Sequence, residues 1–208
     1  MKSKILFFGD SIVKYKNNSK TNSWASQLIK LINSNSKEKF AFGTYSYVGL
    51  NSRKALELLP QILIKNKNSQ MIVIQIGIND SWHYKSLNGL ANVSSEAFAS
   101  NLKEIYLKCL KYKIKNVIFL TYHKLLKNRL EINQKNLNQN LKTYINIIKK
   151  FCKNNNLFCI DIWNETKNIK SKDICLKLPD GVHLNDRGAD IYSKIIYKKL
   201  KKKFYEKI

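Results

Sequence analysis

A serine directly after a buried apolar run, and a histidine three residues behind an aspartate near the far end of the chain, are residue types that can cleave an acyl bond. The serine is Ser11, in "KILFFGDSIV", and the pair is Asp180 and His183, in "LPDGVHLND". A serine hydroxyl is a weak nucleophile until a base takes its proton. Histidine is the natural base near neutral pH. A carboxylate on its other ring nitrogen fixes the tautomer and stabilises the imidazolium. The tetrahedral intermediate of such a reaction also needs hydrogen-bond donors for its oxyanion. The backbone N–H of Ser11, the backbone N–H of Gly49 and the side-chain amide of Asn79 are candidates. Glycine lets the backbone approach closely, and an amide donates without a competing charge.

These residues must be carried to one place by the elements between them. "KILFFG", "KFAFGTYSYV", "MIVIQIG", "NVIFLTY" and "LFCIDIW" read as five short strands, most of them apolar on both faces. Between and after them lie amphipathic helical stretches. The first, "NSWASQLIKLINSN", has Trp24, Leu28, Leu31 and Ile32 on one face, with Asn22 or Ser23 as cap. The second starts near Asn51 and contains Pro60, where a kink or break is expected. The third opens with a capping signal at Ser94, and the fourth places Leu137, Leu141, Ile145 and Ile148 on one stripe. "NDRGADIYSKIIYKKLKKKF" closes the chain as a helix. Alternating strands and helices with doubly apolar strands predict an α/β fold, a three-layer α/β/α sandwich around a five-stranded parallel sheet. In such sheets, sites form beyond the carboxyl ends of the strands. Gly9-Asp10-Ser11, Gly49, "GIND", Tyr122-His123 and the Asp180–His183 segment all fall at that edge.

The full set resembles the SGNH/GDSL hydrolase family of esterases and lipases. "FFGDSI" matches its nucleophile block, "YVGLNSRKAL" its glycine block, "IGIND" its asparagine block, and "DGVHLNDRG" its D-x-x-H block. The blocks stand in the family's order and span almost the whole chain. The asparagine often found ahead of the block's glycine is replaced here by the "TYS" stretch. The resemblance implies a flavodoxin-like fold and a serine esterase or acylhydrolase. Ser11, His183 and Asp180 would be its catalytic residues, and Ser11, Gly49 and Asn79 its oxyanion donors. It implies no metal and no cofactor. An acyltransferase on the same fold stays open, as do carbohydrate, lipid and thioester substrates.

Asp10, Trp82, His83 and His123 are further candidates for lining the substrate site. Trp82 and Tyr84 would form a wall in the loop 81–95. Asp10 and Asp80 also read as structural hydrogen-bonders, and Asp80 as a brace for the Asn79 loop.

Composition sets outer bounds. The 208 residues, 44% of them hydrophobic, fit one domain, residues 1–208. Lys+Arg number 38 against 14 Asp+Glu, a net charge of +24. Such a balance suits nucleic acid, a membrane surface or an anionic substrate. The excess is almost all lysine, is accompanied by abundant Asn and Ile, and is spread along the chain, as codon bias in an AT-rich genome would produce. No helix-turn-helix or aromatic-basic platform supports a nucleic-acid partner. Lysines 198–203 read as a solvated helix end, with peripheral membrane contact as the other reading. Cys109, Cys152, Cys159 and Cys175 form no C-x-x-C and have no histidine at metal-ligand spacing. They read as reduced thiols, although Cys159 and Cys175 could pair. No signal peptide or run of about 18 apolar residues is visible, so a cytoplasmic protein is expected. Oligomeric state is not legible.

Overall fold

A computed structural model describes residues 3–13, 23–36, 39–67, 69–84, 89–128, 133 and 135–205. Five strands alternate with helices in the order β1 (Lys4–Gly9), α1 (Trp24–Asn35), β2 (Ala41–Ser46), α2 (Ser52–Lys65), β3 (Ser69–Gln75), α3 (Ser95–Lys111), β4 (Asn116–Leu120), α4 (Leu137–Asn154), β5 (Phe158–Ile160), α5 (Ile162–Glu165) and α6 (Asp186–Leu200). The strands form one sheet in the order β2-β1-β3-β4-β5, and every pairing is parallel. Gly9 at the end of β1 lies opposite Ser46 and Gln75, so three strands end level with one another. That shared edge is where the loops carrying the candidate residues emerge.

The period of two along each strand divides the core into two layers. Ile5, Phe7, Val73, Ile118 and Leu120 face one side, where Trp24, Leu28 and Ile32 of α1 and Tyr192, Ile196 and Leu200 of α6 pack on them. Leu6, Phe8, Ile72, Ile74 and Phe119 face the other, against Leu59 and Leu63 of α2 and Phe98, Leu102 and Ile105 of α3. Helix α4 feeds Leu141 and Ile145 to the first layer and Tyr144 and Ile148 to the second. Each such side chain is worth about 1.5–3 kcal/mol of burial, which is why the central strands tolerate no polar face. The edge strand β2 is half-buried throughout and alternates only weakly.

Caps fix where the helices begin. Ser23, Asn51, Ser94, Asn136 and Asn185 each accept a first-turn backbone N–H, and Asn136 forms a reciprocal capping box with Gln139. The other proposed cap for α1, Asn22, lies outside the described residues. Leu31 proves half-buried rather than part of the buried stripe.

Two expectations are corrected. Helix α2 runs through Pro60 without a break. Pro60 forgoes one i→i−4 bond, but Leu59, Ile62 and Leu63 are buried on either side of it and hold the turn in place. "LFCIDIW" is not a strand to its end. β5 stops at Ile160, and Asp161 turns the chain by capping α5 through the Asn164 amide at 3.3 Å. All four cysteines are free thiols, so Cys159 and Cys175 are unpaired. Among the described residues no helix is long and apolar enough to cross a membrane.

Candidate active site

The nucleophile turn is built from the sheet itself. At Gly9 the chain passes so close to β3 that a Cβ would stand 2.2 Å from the Gln75 carbonyl oxygen, so only glycine fits. The Asp10 amide donates to that same carbonyl at 3.2 Å, and the chain then turns, with the Val13 amide returning to the Asp10 carbonyl at 3.1 Å. Asp10 is fully buried. Its Oδ1 accepts the Ile12 amide at 2.9 Å and its Oδ2 accepts the Tyr122 hydroxyl. Burial pushes the Asp10 pKa up to about 7, against the opposing pull of the Tyr122 and Ile12 donors. Ser11 stands at the rim of this turn with 9% of its surface exposed.

The second half of the site is a short turn ahead of α6. Asp180 Oδ1 accepts the backbone amides of Val182 at 2.9 Å and His183 at 2.8 Å. Its Oδ2 lies 2.8 Å from His183 Nδ1, and His183 Nε2 lies 2.9 Å from Ser11 Oγ. One carboxylate therefore shapes its own turn and engages the imidazole. The turn is stapled from outside: Leu126 and Lys127 amides donate to the Gly181 carbonyl, both at 2.9 Å, and the Leu176 amide donates to the His183 carbonyl at 2.7 Å. Burial works against ionisation of Asp180, but the His183 and Val182 amides and the His183 ring together hold its carboxyl below the usual range.

The loops after β2 and β3 are joined to this frame. The Tyr47 amide donates to the Gly9 carbonyl at 3.0 Å, and Leu50 closes a turn back to Tyr47 at 3.2 Å, with Gly49 at φ +70 between them. Asn79 Nδ2 donates to the Leu50 carbonyl at 3.0 Å. An amide NH₂ has two protons, so this bond orients the group and leaves a second N–H to donate. Asp80 Oδ1 accepts both the amide, at 2.9 Å, and the hydroxyl of Ser52, tying the "GIND" loop to the start of α2. Burial raises the Asp80 pKa to about 6. The expected brace is thus made through Ser52.

Chemically, the geometry offers a hydroxyl hydrogen-bonded to an imidazole that is itself hydrogen-bonded to a carboxylate, with the loops after β2 and β3 tied to the same frame. The family model described as GDSL-like Lipase/Acylhydrolase matches residues 5–196. The chain belongs to that family. Among curated proteins it is 27% identical to the GDSL esterase/lipase WDL1 of Oryza sativa subsp. japonica, over 94% of this chain and 76% of that protein. It is 24% identical to the isoamyl acetate-hydrolyzing esterase 1 homolog of Homo sapiens, over 96% and 82%. Among solved structures, the acetylxylan esterase Axe2 of Geobacillus stearothermophilus superposes with a TM-score of 0.77 at 17% identity, over 95% and 94% of the two chains. A lipase/acylhydrolase of Enterococcus faecalis gives 0.77 at 22%, over 96% of each. The chain is a GDSL-family hydrolase acting on ester bonds, and its substrates are small-molecule esters.

Of the remaining candidates, the structure of this GDSL hydrolase brings Trp82 and His83 to the same edge. Trp82 is half-buried against the α1/α6 layer, with the Tyr84 ring 6.2 Å away. His83 Nδ1 lies 3.1 Å from the Ser81 carbonyl, and His83 pairs with Ala91. Residues 85–88 of the proposed wall lie outside the described residues. Asp10 and His123, the other two candidates for lining the substrate site, lie inside the fold. Both are fully buried, with their polar atoms engaged by protein partners, and neither presents a surface to a ligand.

Two supporting residues, Tyr192 and Ser52, escaped the sequence reading, and Tyr122 was read only as a strand-end residue, without its bond to Asp10. Tyr122 reaches an aspartate 112 residues away and Tyr192 a histidine 69 residues away, and neither spacing leaves a local pattern. Among the described residues no group of three or more His, Cys, Asp or Glu could hold a metal ion.

Proposed function

We propose that residues 1–208 act as one catalytic unit that hydrolyses carboxylic esters with a short acyl group through an acyl-serine intermediate. The observation that carries this reading is the unbroken chain from Asp180 Oδ2 to His183 Nδ1 at 2.8 Å and from His183 Nε2 to Ser11 Oγ at 2.9 Å. Ser11 Oγ attacks the ester carbonyl carbon while His183 Nε2 takes its proton. Asp180 keeps the Nδ1–H tautomer and stabilises the imidazolium. The oxyanion is held by the Ser11 and Gly49 amides and by the free N–H of Asn79. The C–O bond then breaks, and His183 returns the proton to the leaving alcohol. Water, deprotonated by His183, attacks the acyl-Ser11 ester, releasing the acid and restoring the serine.

Two likenesses support these assignments. Catalytic mutants of the Geobacillus acetylxylan esterase replace a serine, an aspartate and a histidine, the last two at the same three-residue spacing as Asp180 and His183. The names of that enzyme and of the human relative both refer to acetyl esters, which favours a short acyl group here.

A panel of p-nitrophenyl esters from acetate to palmitate, run on wild type and Ser11→Ala, tests the reading. Wild type should turn over the short esters fastest, and Ser11→Ala should fall to background. Retained activity in Ser11→Ala, or wild type inactive at every chain length, would sink the serine mechanism. A preference for the longest esters would overturn the short-acyl assignment alone.

A further inference from the structure

We propose that His123, fully buried beneath the His183 turn, is a positioning residue that sets where the His183 imidazole stands. The inference rests on the mechanism proposed above. His123 Nε2 lies 3.0 Å from the Val182 carbonyl oxygen. A carbonyl only accepts, so Nε2 carries the proton and Nδ1 is an acceptor. Nδ1 lies 2.6 Å from the Tyr192 hydroxyl, which donates to it. The same hydroxyl oxygen accepts the His123 backbone amide at 3.1 Å. Every polar atom of the pair is therefore used in one consistent proton arrangement, between the end of β4, α6 and the terminal turn.

The Val182 carbonyl and the His183 amide belong to one peptide plane. His123 holds that plane by its C=O, and Asp180 Oδ1 holds it by its N–H at 2.8 Å. With both ends gripped, the plane cannot rotate, and the Cα of His183 is fixed in direction as well as position. The catalytic imidazole then needs little further ordering to meet Ser11 Oγ. Burial, with a smaller contribution from the His183 charge, pushes the His123 pKa down to about 4, so the neutral tautomer this arrangement requires persists through the working range. Edge-to-face packing of the two rings, with centroids 5.6 Å apart, keeps the imidazole from turning.

The test is a set of variants on the full chain: His123→Leu, His123→Gln, Tyr192→Phe and Ser11→Ala. Leu fills the space without a donor. Gln restores an N–H for the Val182 carbonyl. Steady-state kinetics on p-nitrophenyl acetate is read beside thermal unfolding and the low-field NMR signal of the His183 Nδ1–H. Expected is a fall in kcat of about 10- to 100-fold in His123→Leu with KM within about twofold of wild type. His123→Gln should recover most of that loss, and Tyr192→Phe should lose less. The His183 signal should weaken in Leu and persist in Gln. Wild-type kcat and an intact signal in His123→Leu would overturn the inference. So would a kcat loss that Gln does not rescue and that tracks the loss of Tm across the series. If wild type itself has no Ser11-dependent activity, the proposed function fails, and the NMR comparison still decides the role of His123.

Discussion

Two turns meet at the candidate site, and they are held by opposite means. The turn at Ser11 is an extension of the sheet. Its acid, Asp10, has no exposed surface, accepts a tyrosine hydroxyl, and has its pKa raised by burial. The turn at His183 stands outside the sheet, and its acid, Asp180, is part-exposed and held low by two backbone amides and an imidazole. Two carboxylates in turns that meet at one site thus have their acidities pushed in opposite directions by their surroundings. The buried one suits a fixed frame, and the part-exposed one suits a group that must carry charge opposite an imidazolium during the reaction.

The largest effect should come from removing that charge where it is used. Asp180→Asn keeps an oxygen for the Val182 and His183 amides, so the turn survives and Tm should change little. Its NH₂ would face His183 Nδ1, however, and force the ring into the tautomer that places a proton toward Ser11. On the proposed mechanism kcat should fall by about 10⁴-fold. A loss below about tenfold, measured on p-nitrophenyl acetate, would break the distinction between the two acids by showing that the Asp180 charge is dispensable.

Which side of this comparison was legible in sequence follows from how local each device is. Asp180 bonds residues two and three positions ahead, so D-x-x-H is a complete local unit and could be read directly. The strand-end positions of Ser11 and Asn79 were legible because parallel strands must end somewhere, and a small polar residue after an apolar run marks the place. The sheet itself was legible from doubly apolar strands. What supports the site was hidden, because Tyr122, Tyr192 and Ser52 act across 112, 69 and 28 residues. His123 was visible as a strand-end residue, but only burial shows that it faces inward. Of the kink or break expected at Pro60, the break is absent for a similar reason: buried Leu59 and Leu63 outweigh one lost backbone bond.

The buried side of the comparison has a pH signature. The folded-state pKa of Asp10 is raised from 3.8 to about 7, so between those values the folded chain binds the extra proton. Its contribution to stability is therefore fully present below about pH 4 and is lost as pH rises through about 7. Asp180 has the opposite sign: its contribution is present above the ordinary carboxylate pKa and is lost as pH falls. Asp10→Asn removes the first titration and leaves the second. Urea unfolding of both proteins from about pH 4 to pH 8 should show wild type losing a few kcal/mol relative to Asp10→Asn across that range. Parallel curves would mean that Asp10 titrates like the exposed acids, and the contrast between the turns would collapse.

The smallest effect is expected where the backbone alone is special. Gly49 sits at φ +70, a conformation that costs a residue with a side chain about 1–2 kcal/mol, but a Cβ there would meet nothing within 4 Å. Gly9, in the nucleophile turn, has no such space. Gly49→Ala should therefore lower stability by about 1 kcal/mol and keep kcat/KM within a few-fold, because the added methyl leaves the proposed N–H donor in place. Thermal unfolding and ester kinetics on the same preparation read both quantities. A stability loss of several kcal/mol would show that the outer loop is as tightly determined as the sheet-borne turn. An activity loss near 100-fold without a stability loss would show that the donor is set by the left-handed backbone itself, and that the frame around Ser11 extends, by geometry alone, to a glycine whose side-chain position is open.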